Sequence, residues 1–263
     1  MHTPRFVIRS GDRQFEVGEL IELVDDDLHH LRDVFRAKPG AEVEIVVADR
    51  KERFRGTVAA IEKRRAEVRL EEKLPSSRVA PLTLILGMPK GPASELIVEK
   101  CTEIGVENIV LFAAERTQNP SQALSDKRIE RLYRVADAAL KQCGGTTIPH
   151  VSYAQTLEDA LRNSIAPKSL RSVLVSPQER TAAQVTGNAH QIDASSELSS
   201  RLEKADENAD FLIVVGPEGG LTDLEIGTAI REGCQPLSLG EQTLRCETAA
   251  VLACGIIQFL RPS

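Results

Sequence analysis

Residues 215–225 read VGPEGGLTDLE and follow directly on the apolar run FLIV. Three glycines and a proline crowd the end of a buried-type strand, and a helix start follows at once. Glycine lets a backbone approach a ligand closely and adopt positive φ. The spacing is neither Gly-x-Gly-x-x-Gly, which holds a dinucleotide, nor the Gly-Lys-Ser/Thr ending that cradles a polyphosphate. Two more strings of similar chemistry follow apolar runs: Ser176-Pro177-Gln178-Glu179 and Gly240-Glu241-Gln242-Thr243-Leu244-Arg245. None of the three carries a lysine-serine pair for phosphates or a His/Cys/Asp cluster for a metal. The chemistry they fit is a ligand read by backbone groups and shape, with an adenine-like ring and moderate charge. Taken alone, Gly-Pro-Glu-Gly-Gly is also what a tight turn without a ligand requires.

The elements that must position these loops are legible as alternating strands and helices. LTLILGM from Leu82 is a continuous apolar strand pattern. Residues 92–104 place Ala93, Leu96, Ile97, Cys101 and Ile104 at helical spacing, with proline at the start and Gly105 past the end. NIVLF (108–112) is the next strand, so the unit is βαβ and implies a parallel sheet. Helices are predicted from Ser125 to about Cys143 and from Thr156 to about Asn163. Strands follow at 171–175, 211–215 and 235–239. In a parallel sheet the strand C-termini share one edge, where ligands settle; the three loops belong to that edge. Thr222-Asp223-Leu224-Glu225 is a capping box opening a helix over 223–232. The segment from 184 to 210 reads as a surface excursion. Residues 247–260 are nearly all apolar, so that helix must pack into its domain or against a second subunit.

Residues 1–75 have a different rhythm. Short alternating runs over 41–72 read as hairpins. A short helix before them puts Leu28, Leu31, Val34 and Phe35 on one face, and Pro39-Gly40 stops it. Residues 73–81 have linker composition. The organisation expected is a small β-rich domain over 1–75 and an α/β domain over 76–263.

Composition excludes several classes. The 263 residues carry a net charge of −6, which argues against a partner held by bulk positive charge. Residues 1–80 are balanced, with 16 basic and 16 acidic, whereas the remainder has 17 against 23. Basic residues cluster at Arg50-Lys51-Glu52-Arg53-Phe54-Arg55 and Lys63-Arg64-Arg65, as a local nucleic-acid footprint would; solvated turns are the competing reading. No apolar stretch has the length of a membrane helix, and the N-terminus has no signal-peptide core. The five cysteines are scattered and never Cys-x-x-Cys, so no disulfide framework or zinc site is expected, and a reducing cytoplasm fits.

Val215 to Thr222, taken with Leu237-Ser238-Leu239-Gly240 and Leu244-Arg245-Cys246-Glu247-Thr248-Ala249, resembles the paired C-terminal signature of the RsmE family. These are bacterial 16S ribosomal RNA (uracil-N3)-methyltransferases of the SPOUT class. Lys90-Gly91, Glu99 to Val106 and Glu115-Arg116 resemble the family's first βαβ unit. His29-His30-Leu31, Val34-Phe35-Arg36 and Pro39-Gly40 resemble its N-terminal PUA-like RNA-binding domain. The resemblance runs in order along essentially the whole chain. It implies a PUA-like β-barrel followed by a SPOUT-type parallel-sheet catalytic domain whose C-terminal segment passes through a trefoil knot. It implies a homodimer, S-adenosylmethionine as cofactor, no metal, and 16S ribosomal RNA or the small ribosomal subunit as partner. Two positions depart from the family pattern: Cys246 stands where threonine is expected, and Gly145 where many members carry arginine.

By the same resemblance, Ser176, Pro177, Gly216, Pro217, Glu218, Gly219, Leu239, Gly240, Leu244, Arg245 and Thr248 hold the cofactor. A sulfonium donor with one carboxylate and no pyrophosphate explains why neither phosphate fingerprint is present. Uracil N3 carries a proton at neutral pH and must lose it, which leaves charge on the flanking carbonyl oxygens. Glu247 is the candidate base or the orienter of Arg245, and Arg245 the candidate anion holder. The competing reading of Glu247 is a carboxylate favoured by its helix dipole. RNA-contact candidates are Arg5, Arg9, Arg36, Arg50, Arg53, Arg55 and Arg116, with Phe54 as a stacking or core residue. The alternatives are a SPOUT enzyme with another target, such as a ribose 2′-hydroxyl, and a non-catalytic ribosome-assembly factor.

Overall fold

The structure is a computed structural model that describes residues 3–11, 13–75, 81–117, 125–164, 169–179, 198, 202 and 209–260. Most of the predicted excursion over 184–210 and part of the linker over 73–81 lie outside the described residues; Leu198, Leu202 and Ala209, which fall within the predicted excursion, are buried in the apolar core and not on the surface. The chain divides into two compact units, one of Met1–Arg78 with Leu140–Ile148 and one of Val79–Ala139 with Pro149–Ser263. The grouping of 140–148 with the first unit is not visible in the sequence.

The first unit is built on five strands: β1 (Arg5–Ile8), β2 (Leu20–Leu23), β3 (Glu42–Val47), β4 (Glu52–Ile61) and β5 (Ala66–Leu74), in the order β1-β3-β4-β5-β2. β3, β4 and β5 pair antiparallel, as the hairpin patterning predicts, and β1 joins β3 in parallel. Register shifts at Arg55/Gly56 and Val58/Ala60 mark bulges, and bulges bend and curl a sheet. Phe6, Ile45, Phe54, Val68 and Leu70 fill its core. The short helix α1 (Asp25–His29) passes into a π turn over His30–Val34, with the Phe35 amide donating to the His30 carbonyl at 3.0 Å. That turn changes the expected face. Leu28 and Leu31 are buried, but the wider turn carries Val34 and Phe35 outward, where they are 56% and 40% exposed. Arg36, at φ +51°, ends it.

The second unit holds a six-stranded sheet, all parallel: β6 (Leu82–Gly87), β7 (Asn108–Phe112), β8 (His150–Ala154), β9 (Leu170–Leu174), β10 (Phe211–Val215) and β11 (Gln235–Leu237), in the order β11-β9-β10-β6-β7-β8. Helices α2 (Ala93–Ile104), α3 (Asp126–Cys143), α4 (Leu157–Ser164), α5 (Asp223–Arg231) and α6 (Cys246–Leu260) accompany it. Leu82, Leu84 and Leu86 pack with Ile97, Cys101, Ala250 and Cys254 in one apolar cluster. Ile85, Val110, Phe112 and Val214 pack with Leu157, Leu161 and Ile226 in another. Apolar residues of both parities along β6 are therefore used, which is why it reads as an unbroken apolar run. Pro236 is tolerated because β11 is the edge strand. The expected burial of the C-terminal helix holds on one face only: Leu252 is 42% and Phe259 is 86% exposed.

Candidate functional site

β9, β10 and β11 lie at one side of the sheet, with β9 between the other two. The loops that follow them converge at their C-terminal ends around a cavity of about 280 Å³. Of the expected cofactor residues, Ser176, Pro177, Gly216, Pro217, Glu218, Gly219, Leu239, Gly240 and Leu244 line it. Arg245 and Thr248 are not among the lining residues; both side chains are exposed on the first turn of α6 and just before it. Arg116, an RNA-contact candidate, is part of the wall. So are Val175, Gln178, Glu179, Ser238, Gln242, Thr243, Cys246 and Ala249, which pattern reading did not single out as ligand contacts.

The loops are latched to one another by side chains of modest sequence signal. The Glu179 carboxylate accepts from the Ser176 amide at 2.6 Å on its own loop and from the Leu221 amide at 2.7 Å on the loop after β10. The Thr243 hydroxyl donates to Gln178 at 3.0 Å, joining the third loop to the first. Arg116 Nη1 donates to the carbonyls of Gly219 at 3.3 Å and Leu221 at 3.0 Å. The Glu218 carboxylate accepts from the Lys90 amide at 2.8 Å. Behind the loops the capping box forms: Glu225 accepts from the Thr222 amide at 2.8 Å, and its other oxygen takes the Glu115 amide at 3.0 Å. A charged acceptor serving two amides makes stronger bonds than a neutral one. Glycine is required at two points. A Cβ on Gly220, at φ +72°, would meet the Glu179 carboxylate, and one on Gly87 would stand 2.8 Å from the Pro217 nitrogen.

At the opening of α6 three groups interact. The Cys246 thiol donates to Glu247 Oε2 at 3.4 Å, and Arg245 Nη1 lies 3.9 Å from Glu247 Oε1. The Arg245 side chain is 86% exposed and that of Glu247 22%. Burial, then the nearby Glu218 charge and the hydrogen bond to Glu247, push the Cys246 thiol up to about 12. It is therefore a neutral donor at physiological pH, which threonine would also be.

The cavity's chemistry suits S-adenosylmethionine. Its apolar wall (Leu174, Val175, Val215, Leu239, Leu244 and Ala249) fits an adenine-type ring, and exposed loop amides, carbonyls and Glu218 supply polar partners. Its cation, Arg116, is already committed to two carbonyls, so the lining offers nothing built for a polyphosphate. The volume is near the lower end of the roughly 300–1,000 Å³ of small-molecule sites. Among the described residues no His/Cys/Asp/Glu group could hold a metal ion, and no helix is long and apolar enough to cross a membrane.

The arginines of the first unit are partly spent on acids. β1 and β4 set Arg5 and Arg55 opposite Glu44 across β3, and Glu72 of β5 continues the row. Arg5 and Arg53 contact Glu44 at 2.9 and 2.7 Å, and Arg55 contacts Glu72 at 2.6 Å. Burial alone would raise the Glu44 carboxyl, but the bonds and charges of Arg5 and Arg53 outweigh it and hold the pKa below the usual range. Arg50 Nε donates to the Ser10 hydroxyl at 2.9 Å, and Arg9 and Arg36 are exposed. Phe54 is 1% exposed, a core residue and not a stacking platform.

Residues 75–258 match the model of the RNA methyltransferase domain family, and residues 23–71 that of the RNA methyltransferase PUA domain. A ribosomal RNA small subunit methyltransferase E of Synechocystis is 32% identical over 70% of this chain, and the chain covers 54%, about half, of that relative. The protein of the same name from Bacillus subtilis is 25% identical over 97% of this chain and 96% of its own length. Among solved structures, a ribosomal RNA small subunit methyltransferase E of Neisseria gonorrhoeae bound to S-adenosylmethionine superposes with TM-score 0.77 at 23% identity, covering 99% of this chain and 98% of that one. A methyltransferase of Legionella pneumophila, also with S-adenosylmethionine bound, gives TM-score 0.75 at 24% identity over 98% of each chain. At these identities the superpositions establish the fold.

Proposed function

Because the chain belongs to the RNA methyltransferase domain family, in its RsmE branch, we propose that it methylates N3 of one uridine in 16S ribosomal RNA, using S-adenosylmethionine. The observation that carries this reading is the cavity itself: three interlocked loops at the C-terminal edge of a parallel sheet, apolar inside and without a phosphate cradle.

Ser176, Pro177, Gly216, Pro217, Glu218, Gly219, Leu239, Gly240 and Leu244 are the residues we assign to the cofactor, with Arg245, just before α6, and Thr248, in its first turn, closing over it. S-adenosylmethionine, when bound there, supplies the electrophilic methyl carbon. The protein's own part is positioning and proton handling. Glu247 takes the N3 proton; its carboxylate is held by the Cys246 thiol, which cannot compete for that proton because it is itself protonated. Arg245, exposed and only 3.9 Å from Glu247, turns toward the uracil oxygens as negative charge develops there. Residues 1–75, with Arg5, Arg9, Arg36, Arg50, Arg53 and Arg55, form the RNA-binding domain in this proposal, and the exposed Arg116, whose Nη1 is held by the Gly219 and Leu221 carbonyls, meets RNA at the cavity's edge through its remaining N–H groups. The chain acts in the cytoplasm as a homodimer, and the exposed Leu252 and Phe259 of α6, at i and i+7 with the half-buried Ile256 between them, supply the apolar contact.

The test is calorimetry with S-adenosylmethionine followed by methyl transfer to 16S ribosomal RNA in vitro. Binding together with label recovered as 3-methyluridine is the expected result. Binding without transfer to any RNA would favour the assembly-factor alternative, and label on a ribose hydroxyl would move the target.

A further inference from the structure

A groove between the start of α2 and the start of α3 plays no part in the mechanism above. Its wall includes Gly91, Pro92, Glu95, Lys127, Arg128 and Arg131 around about 550 Å³. Beyond residue 80 the chain is net acidic, yet here cations gather. Arg131 is paired with Glu95 at 2.9 Å. Arg128 is half-buried and meets only neutral, weak acceptors: Met88 Sδ at 3.8 Å and Ser94 Oγ at 3.4 Å. Lys127 and the neighbouring Lys90 are exposed. Among the described residues none of these three cations has a carboxylate partner, although Asp126 and Glu130 are exposed on the same helix. A half-buried guanidinium without a counter-charge is costly to keep, which marks the groove as built for an anion from outside the chain.

The groove and the cofactor cavity are separate, but one hydrogen-bonded segment links their walls. Glu218 lines the cavity and binds the Lys90 amide, and Lys90-Gly91-Pro92 leads from there into the groove wall. A strand that presents a base at the cavity and leaves along this segment carries its phosphates past the groove wall. We propose that Lys90, Lys127 and Arg128 hold phosphodiesters of the RNA strand flanking the target uridine. This rests on the RNA-methyltransferase reading and assigns it a second RNA contact, on the catalytic unit itself.

The test compares the full-length chain with K90A/K127A, whose altered side chains are exposed, and with Arg128→Gln, using 16S ribosomal RNA over a salt series. The log–log salt slope of RNA binding should fall by roughly 1.5 to 2 in the double variant and by about 1 in the single one. KM for RNA should rise, with S-adenosylmethionine affinity and kcat at saturating RNA unchanged. An unchanged slope and KM in variants of a wild-type chain that does methylate RNA would overturn the groove assignment alone. Weaker self-association with unchanged RNA binding would overturn it in favour of a second copy's acidic surface. A wild-type chain that takes up no methyl donor would instead remove the reading beneath it.

Discussion

Glu247, the proposed base, has the Cys246 thiol at 3.4 Å and the Arg245 guanidinium at 3.9 Å as its immediate neighbours. Glu247→Gln keeps the shape but not the basicity, so kcat should drop by about 10²–10⁴-fold with cofactor affinity within twofold; stopped-flow or single-turnover methylation reads this directly. The raised thiol of Cys246 makes it a poor nucleophile. Alkylation at pH 8 should therefore label the exposed Cys143 first and leave Cys246 unmodified, and Cys246→Thr, the residue its family pattern carries, should keep activity. Glu44 gives a pH prediction. Its pKa is lower in the fold than the ordinary 4.5, so its contribution to stability is present above that value and is lost as pH falls through the folded value. Glu44→Gln should cost about 1 kcal/mol at pH 7, and denaturant titration should show the gap to wild type closing below pH 4.5. Neither latch nor charge row was legible at this scale, because Glu179 reaches Leu221 across 42 positions and Arg5 reaches Glu44 across 39.

Among the elements, those with continuous apolar runs were readable from sequence alone: β6 and β10 are buried at every position and β7 at all but its first, so nearly every position is constrained. The Thr222/Glu225 capping box was equally plain, since its partners are three residues apart. β8 was not readable. HVSYA is an edge strand with two of its five residues partly buried and one exposed, and its alternation is too short to separate from a loop. β1 and β2, four residues each, fail for the same reason. The π turn after α1 depends on one displaced hydrogen bond, which no side-chain pattern announces. The loops' conformation follows from their latches, and Gly220→Ala tests this. The positive φ and the Glu179 carboxylate both oppose a methyl group there. Calorimetry should show S-adenosylmethionine affinity falling more than tenfold with the helical circular dichroism intact, since ~1–2 kcal/mol of backbone strain falls on the loop and not on the sheet.

For the whole molecule, two periodicities divided the sequence near residue 75, and the compact units separate near there as well, with 140–148 added to the first for reasons of packing that only three dimensions reveal. The apolar C-terminal helix was expected to be covered, and Phe259, 86% exposed, is not covered by its own chain. If a second copy covers it, Phe259→Glu should shift sedimentation toward monomer while leaving the monomer folded. The proposed activity of the whole molecule is the installation of one methyl group on N3 of a uridine in small-subunit RNA. Mass mapping of that RNA from cells lacking the protein, complemented with wild type or with Glu247→Gln, tests it most directly. Loss of a single 3-methyluridine, restored by wild type and not by the variant, is the predicted result; an unchanged 3-methyluridine map in the deletion strain would contradict the account.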